Sequence, residues 1–480
     1  MNNIASLTIG PEQQNIFTAF SGDCNPIHTD PMAARRTSAG RVVVHGVHAL
    51  LRALDILAMD GYLSHTPAHI KAKFLKWMYP GDEGVLKAST GTASNLAIQV
   101  QVQNLPVLTA EIEFATGAPM NDCIGASSGV VLPKPRVLSI LQMRGMEGEA
   151  YVASGSDAAV MFPHLAALLG ARAVAELAAT SYTVGMEVPG LHSTFALLDL
   201  ALRPVSNNSD SGLRYQITNV DERFQKVGIK LTGMAIDGTI EAFVRAAPTV
   251  QPSPKQVASR VAAGEFSGMR ALVIGGSRGL GEVTAKIVSA GGGEVVITYA
   301  TGKTDADNVV CQIEEWGGTA AAIQYDVLEP PRSQLSCLPY LPTHIFFFAT
   351  SAIFRPRYEV FAASVFAEFV QFYVNGFYHL CEAMLSSVSK CGHKLCVYYP
   401  SSVAVETRPP GMTEYSMAKA AGEVLCHELN QRMSGIDVRY SRLPRLRTDQ
   451  TRSVLPTRDL DPVEVLLPLV RERMRTWQSA

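Results

Sequence analysis

Ile274-Gly275-Gly276-Ser277-Arg278-Gly279-Leu280-Gly281 stands between a short apolar run at 271–274 and a helical run at 280–290. Glycine at 275 permits a tight turn, glycine at 279 lets the backbone come close to a pyrophosphate, and glycine at 281 lets the helix pack tightly. A glycine-rich loop that leaves a strand and opens a helix offers backbone N–H groups to an anion, which makes this a dinucleotide signal rather than a lone pattern. Downstream the runs alternate, with a strand at 294–299, a helix at 305–316 and a strand at 320–325. That alternation predicts an α/β fold on a doubly wound parallel sheet over 269–480.

Upstream, Pro248, Pro252 and Pro254 mark a connector at 248–268. A stretch rich in Gly, Ser, Pro and Met marks another at 118–149, with room for a short strand at 137–141. They leave blocks at 1–117 and 150–247, each of domain size. The first reads as a polar, turn-rich opening, a helix at 47–59, and strands at 69–77, 84–92, 97–103 and 107–115. Lys71, Lys73 and Lys76 give its first strand a solvated face. The second repeats the order, with a helix at 162–177 and strands at 192–203, 212–220, 225–235 and 239–246. Asp221-Glu222 and Asp237-Gly238 are expected as its hairpin turns. A helix followed by antiparallel strands, twice over, predicts a pair of α+β layers.

The chain has 480 residues, more than one core usually holds, and 47% hydrophobic against 18% charged residues fits a globular protein. A formal net charge of -2 with the signs mixed gives no electrostatic case for nucleic acid or an anionic membrane. No leader pattern and no apolar run of bilayer length is visible, so a cytoplasmic protein with no membrane partner is expected. The eight cysteines lack zinc or CxxC spacing. They read as buried free thiols, and no metal site is expected.

A second pattern lies in Phe20-Ser21-Gly22-Asp23-Cys24-Asn25-Pro26-Ile27-His28-Thr29-Asp30, followed by Val43-Val44-His45-Gly46 and the apolar helix. Taken singly, Asp23 and Asn25 suit a turn and His28 a loop. Taken together, a carboxylate and an imidazole near one water can take one proton and deliver another. The stretch resembles the MaoC-like, or hydratase 2, family of hotdog-fold enzymes, closely over 17–51 and again at 74–82. The resemblance implies an (R)-specific enoyl-thioester hydratase in which Asp23 and His28 handle the water. Gly46, at the helix start, is then the backbone donor to the thioester oxygen; Asp30 and His45 are read as structural. The stretch from Ser181 to Ser193 looks like the degenerate partner half of a double hotdog. It lacks the Asp-x-Asn-Pro-x-His pair and is expected to carry no hydratase chemistry but to complete the tunnel for the acyl chain, with His192 read as structural and a substrate contact left open.

The glycine loop resembles the TGxxxGxG loop of the short-chain dehydrogenases/reductases, a Rossmann-type family, with Ile274 in place of the usual Thr. The resemblance implies cofactor contacts from Gly275, Ser277, Arg278, Gly279, Leu280, Gly281, Lys303, Asp326 and Val327, joined by Tyr415 and Lys419. The second strand ends in Thr298-Tyr299-Ala300-Thr301, without a carboxylate for a free 2′-hydroxyl, while Arg278 and Lys303 suit a 2′-phosphate. NADP(H) is therefore expected. Tyr415 and Lys419 have the family's YxxxK spacing, which puts both on one helix face. Ser402 lies thirteen residues before Tyr415, and Asn375 matches the asparagine of the proton relay. The departures are Phe348-Ala349-Thr350-Ser351 in place of Asn-Asn-Ala-Gly, and Pro444-Arg445 in place of Pro-Gly. No seventh strand is expected after the helical run at 463–476.

The expected fold is thus an α+β double hotdog followed by an α/β Rossmann-type doubly wound parallel sheet. The expected activity is reduction of 3-oxoacyl thioesters to (R)-3-hydroxyacyl thioesters and their reversible dehydration. The substrate is an acyl-CoA or acyl-carrier-protein thioester, and a homo-oligomer is left open. Two alternatives stay open as well: a hydratase with a silent cofactor-binding domain, and a non-catalytic acyl-carrier-binding scaffold.

Overall fold

The computed structural model describes residues 1–63, 65–90, 95–114, 126–204, 212–353, 360–388, 394–451 and 460–479. The chain divides after Ala247 into two compact units. The strand ends expected at 91–92 and 115, and connector residues 118–125, lie outside the described residues.

The first unit holds β1 (Asn2–Leu7), β2 (Pro67–Phe74), β3 (Gly84–Thr90), β4 (Asn95–Val102) and β5 (Leu105–Phe114). It continues with β6 (Glu147–Ala150), β7 (Ser193–Leu202), β8 (Leu213–Asp221), β9 (Lys226–Thr232) and β10 (Ile236–Val244). All ten form one sheet in the order β1-β3-β4-β5-β2-β7-β10-β9-β8-β6. The two expected blocks are therefore halves of a single sheet, joined where β2 pairs antiparallel with β7, Ile70 facing Leu200 and Ala72 facing Leu198. These four side chains are buried, whereas Lys71 between them reaches Asp199 on the other face, so the strand's alternation of period two decides which face meets the core. Each half contributes one long helix, Gly46–Met59 and Ala171–Tyr182. The second is buried at every position and the first at most of them. Each fully buried Leu or Val there contributes about 1.5–3 kcal/mol, and the charges the second helix takes inside, Arg172 and Glu176, pair with each other at 2.8 Å.

The second unit holds β11 (Arg270–Ile274), β12 (Glu294–Tyr299), β13 (Thr319–Gln324), β14 (His344–Phe347), β15 (Leu395–Ser402) and β16 (Ile436–Leu443). They pair in parallel in the order β13-β12-β11-β14-β15-β16. The order reverses between β11 and β14, and in such sheets the crevice beyond the strand ends at this switch point receives ligands. The glycine loop follows β11 there. Residues 348–351 follow β14, close enough that a Cβ on Gly275 would come 2.9 Å from the Ala349 backbone nitrogen. The helix Pro462–Gln478 packs Val463, Leu466 and Val470 into the same apolar cluster as Val283 and Ile287 of helix Gly279–Ala290.

Several local expectations are corrected. The polar opening contains β1, an edge strand paired only with β3 and exposed over much of its length, so it carries no strong apolar alternation. The helix expected at 162–177 is broken. Pro163 starts a new helix after Met161, and Gly170 takes a left-handed φ of 84° before Ala171 starts the next. Asp237-Gly238 is not a turn but part of β10, where a Cβ at Gly238 would lie 2.2 Å from the Asp199 carbonyl oxygen; the chain turns at 233–235 instead. The strand allowed at 137–141 is only a bridge between Val137 and Gly190, and β6 begins inside the expected connector. In the connector at 248–268, Pro254 opens a short helix, Pro254–Ala258, capped by Ser253. Of the described cysteines Cys381, Cys396 and Cys426 are buried free thiols, but Cys311 and Cys337 are exposed.

Candidate active sites

In the first unit the helix Pro11–Ser21 ends at Gly22, whose left-handed φ of 74° turns the chain sharply toward Asp23. Asn25 then caps a short helix, Pro26–Thr29, by accepting the Ile27 N–H at 3.2 Å, and that helix carries His28. His28 Nδ1 lies 2.8 Å from the Val43 carbonyl. A carbonyl only accepts, so Nδ1 bears the proton and Nε2 keeps a lone pair. His45 Nε2 donates in the same way to the Asp23 carbonyl at 2.9 Å, and the two imidazoles stack at 3.8 Å. The donor atoms of Asp23, His28 and His45 lie within 4.8 Å of one another, a grouping that a cation could also occupy. Asp30 caps the next turn by accepting the Met32 N–H at 2.8 Å. Gly46 is the first residue of helix Gly46–Met59, where N–H groups have no intrahelical partner. A Cβ there would come 2.6 Å from the Phe74 ring.

Burial decides the protonation states. It pushes His28 down to about 3, with His45 and Arg245 adding to the effect and Asp23 opposing it. It pushes His45 down to about 3 as well. It raises the Asp23 carboxyl above the usual range, against the pull of His28, Ser181 and the Asn25 N–H. At neutral pH His28 is therefore an uncharged base beside an acid of raised pKa.

Sequence reasoning gave the second half no hydratase chemistry, yet it holds Asp23 and Asn25 directly. Ser181 donates to Asp23 Oδ2 at 2.7 Å. Gly185, in the widened turn Thr183–Glu187, presses on the same carboxylate: a Cβ there would lie 2.2 Å from Oδ1. Asn25 Nδ2 donates to the carbonyls of Gly185 at 2.8 Å and Gly190 at 3.1 Å. Arg245 holds the carbonyls of Leu191 and Ser193 at 2.6 and 3.0 Å. The one available signal was the unusual Ser181–Ser193 stretch itself.

In the second unit Gly275 and Gly279 take φ of 77° and 61°, and a Cβ on Gly281 would lie 2.3 Å from the Gly275 carbonyl oxygen. Ser277 is buried, and Arg278 lies 3.7 Å from Asp449. Leu280 packs in the apolar cluster under the loop. Lys303 is on the surface, 2.8 Å from Asp307 one helical turn away. Asp326 accepts the Leu328 N–H at 3.0 Å and so closes its own turn, and Val327 is buried behind it. The helix N-terminus at Gly279 offers backbone N–H groups that fit a dinucleotide pyrophosphate, and side chains at Gly275 and Gly281 would push the loop off residues 348–349 and off itself.

Ser402, Tyr415 and Lys419 come together, and Asn375 does not join them. Ser402 hydrogen-bonds Tyr415, whose phenol is pushed up to about 12 by burial with that bond opposing. Lys419 is lowered to about 7 by burial and donates to the Pro400 carbonyl at 2.7 Å. Asn375 instead donates to Gln371 Oε1 at 3.1 Å within its own widened turn, Gln371–Asn375. The residue against the lysine is Tyr373, whose ring centroid lies 3.9 Å from Nζ.

Residues 2–110 match the family described as MaoC like domain. Over 217 residues, 42% of this chain and 82% of the relative, the chain is 28% identical to a 3-oxoacyl-(acyl-carrier-protein) reductase of Synechocystis sp.. It is 43% identical over 63 residues to an uncharacterized oxidoreductase of Methylorubrum extorquens, of which it spans 25%. Among solved structures, a dehydrogenase/reductase from Sinorhizobium meliloti 1021 is similar at 22% identity and a TM-score of 0.38, covering 46% of this chain and 91% of that one.

Proposed function

We propose, for a chain that carries a MaoC-like domain and a C-terminal unit related to short-chain dehydrogenases/reductases, a bifunctional acyl-thioester enzyme. Its first unit reversibly hydrates trans-2-enoyl thioesters to (R)-3-hydroxyacyl thioesters, and its second reduces 3-oxoacyl thioesters to the same product with NADPH. The observation that carries the reading is the pairing of buried Asp23 with partly buried His28, which Val43 fixes in the tautomer that leaves Nε2 as acceptor. In hydration, Nε2 takes one proton from water as its oxygen bonds to C3. Asp23, kept protonated more readily than usual, delivers a proton to C2. Passage of a proton from His28 to Asp23 then restores the pair. The N–H of Gly46 faces the negative charge that develops on the thioester oxygen.

In the second unit, NADPH would supply the hydride to the ketone carbon. Ser402 holds the carbonyl oxygen and Tyr415 gives it a proton, while the Lys419 ammonium favours the phenolate left behind. Gly275, Ser277, Gly279, Leu280, Gly281, Asp326 and Val327 line the dinucleotide crevice, and Arg278 is the residue for a 2′-phosphate once it leaves Asp449. Lys303, committed to Asp307, is the weaker candidate.

A second reading, a hydratase with a silent second unit, draws on two observations: the Lys419 ammonium is already bonded to Pro400, and the expected relay asparagine faces Gln371. Purified protein incubated with NADPH and acetoacetyl-CoA separates the two. Cofactor loss with 3-hydroxybutyryl-CoA and crotonyl-CoA as products supports both activities. Hydration of added crotonyl-CoA without any NADPH loss supports the silent unit.

A further inference from the structure

Lys419 is 5% exposed, and its ammonium, with three donors to satisfy, makes one hydrogen bond among the described residues, to the Pro400 carbonyl. Three aromatic rings stand around it. Its Nζ lies 3.9 Å from the ring centroid of Tyr373, 4.9 Å from that of Tyr399 and 5.9 Å from that of Tyr415. Tyr373 also meets Tyr415 edge-on at 5.7 Å and stacks on Phe369 at the same separation. Its phenol hydrogen-bonds the Thr350 hydroxyl. Thr350 stands in Phe348-Ala349-Thr350-Ser351, where the resembled family carries Asn-Asn-Ala-Gly, so the changed turn after β14 and the tyrosine over the lysine form one unit.

We propose that Tyr373, anchored by Thr350, is a positioning residue that roofs the Lys419 ammonium with its ring and holds it charged beside Tyr415, in the place where Asn375 was expected. The catalytic meaning of the proposal rests on the reductase reading; the cage does not. A ring face attracts a cation through its quadrupole, most strongly where water is excluded. This acts against burial, which lowers the lysine to about 7. The titratable groups facing Lys419 are Tyr373, Tyr399 from β15, and Tyr415 and Cys426 from its own helix. Glu423, one turn further along that helix, is committed to Arg442 and Ser401. Gly422 makes the cage possible, since a Cβ there would lie 2.1 Å from the Tyr399 hydroxyl oxygen.

The test is the titration of Lys419 in the full chain labelled at lysine 13Cε, its resonance assigned with Lys419→Arg. Tyr373→Leu removes the ring, and the midpoint is expected to fall by about half to one pH unit. Tyr373→Phe keeps the ring and is expected to hold the midpoint, and Tyr373→Met replaces the Leu variant if that one does not fold. In reduction assays the alkaline limb of kcat should move down in the Leu or Met variant and stay in place in Tyr373→Phe, because a neutral lysine no longer supports Tyr415. A midpoint unmoved by loss of the ring overturns the proposal. A moved midpoint in a protein that reduces nothing sustains the cage and sinks only the reductase reading.

Discussion

At the scale of single residues, Asp23 is held by two kinds of contact, a loop that folds back on itself and a serine from far along the chain. Asp23→Asn keeps the shape but removes the exchangeable proton, so hydration of crotonyl-CoA should fall by about 10²–10⁴-fold while the melting temperature stays near that of the parent. Activity within threefold of the parent would remove Asp23 from the mechanism. Ser181→Ala tests the contact from the other half. The hydroxyl donates to the carboxylate and so favours its ionised form; without it the Asp23 pKa rises further and the pH limb set by that group moves upward. A pH–rate profile superimposable on the parent's would show that Ser181 only fills space. Asp23, Asn25 and His28 were legible in the sequence because all three sit within six residues and their types leave few alternatives. Ser181 was not, because serine is common and its partner lies 158 positions away.

At the scale of elements, the helix Gly46–Met59 enters the core with His45 before it and His48 in its first turn, and His28 from the helix Pro26–Thr29 stacks on His45. His28, His45 and His48 are each pushed down to about 3 by burial. Their folded pKa values lie below the ordinary 6.5, so the unfolded chain binds more protons between about pH 6.5 and 3, and stability must fall as pH falls through that window. Each histidine contributes a loss of about 1.4 kcal/mol per pH unit well inside it. Thermal melting of the full chain from pH 7 to 4.5 should show a steep decline; a flat profile would mean that the imidazoles are not buried neutral. In the second unit the strand–loop–helix element at 270–290 depends on Gly281, where a side chain meets the Gly275 carbonyl. Gly281→Val should abolish NADPH binding, read by fluorescence titration, and leave hydration intact. Retained binding would place the dinucleotide elsewhere. Among the described residues no helix is long and apolar enough to cross a membrane.

At the scale of the whole molecule, two sites on one chain predict separable losses. Asp23→Asn should stop the pathway at 3-hydroxybutyryl-CoA, and Tyr415→Phe should stop NADPH consumption while crotonyl-CoA is still hydrated. A mixture of the two variants should restore conversion of acetoacetyl-CoA to crotonyl-CoA. Failure of the mixture, with each variant keeping its own activity, would show that the intermediate does not pass through solution. What the sequence by itself determined is what contiguous chemistry can encode. The glycine loop between β11 and its helix, the Asp23–His28 turn, the Tyr415–Lys419 spacing on one helix and the alternation that separates an antiparallel layer from a parallel sheet are all properties of local segments. Tertiary structure alone decided the rest. It joined two expected blocks into one sheet through β2 and β7, drew the edge strand β1 out of a polar opening, and moved Gly238 from a turn into β10. It also brought Ser181 to Asp23 and set Tyr373, in place of Asn375, against Lys419. Each of these depends on which distant backbone fills the space beside a residue, and close packing settles that only when the whole chain has folded.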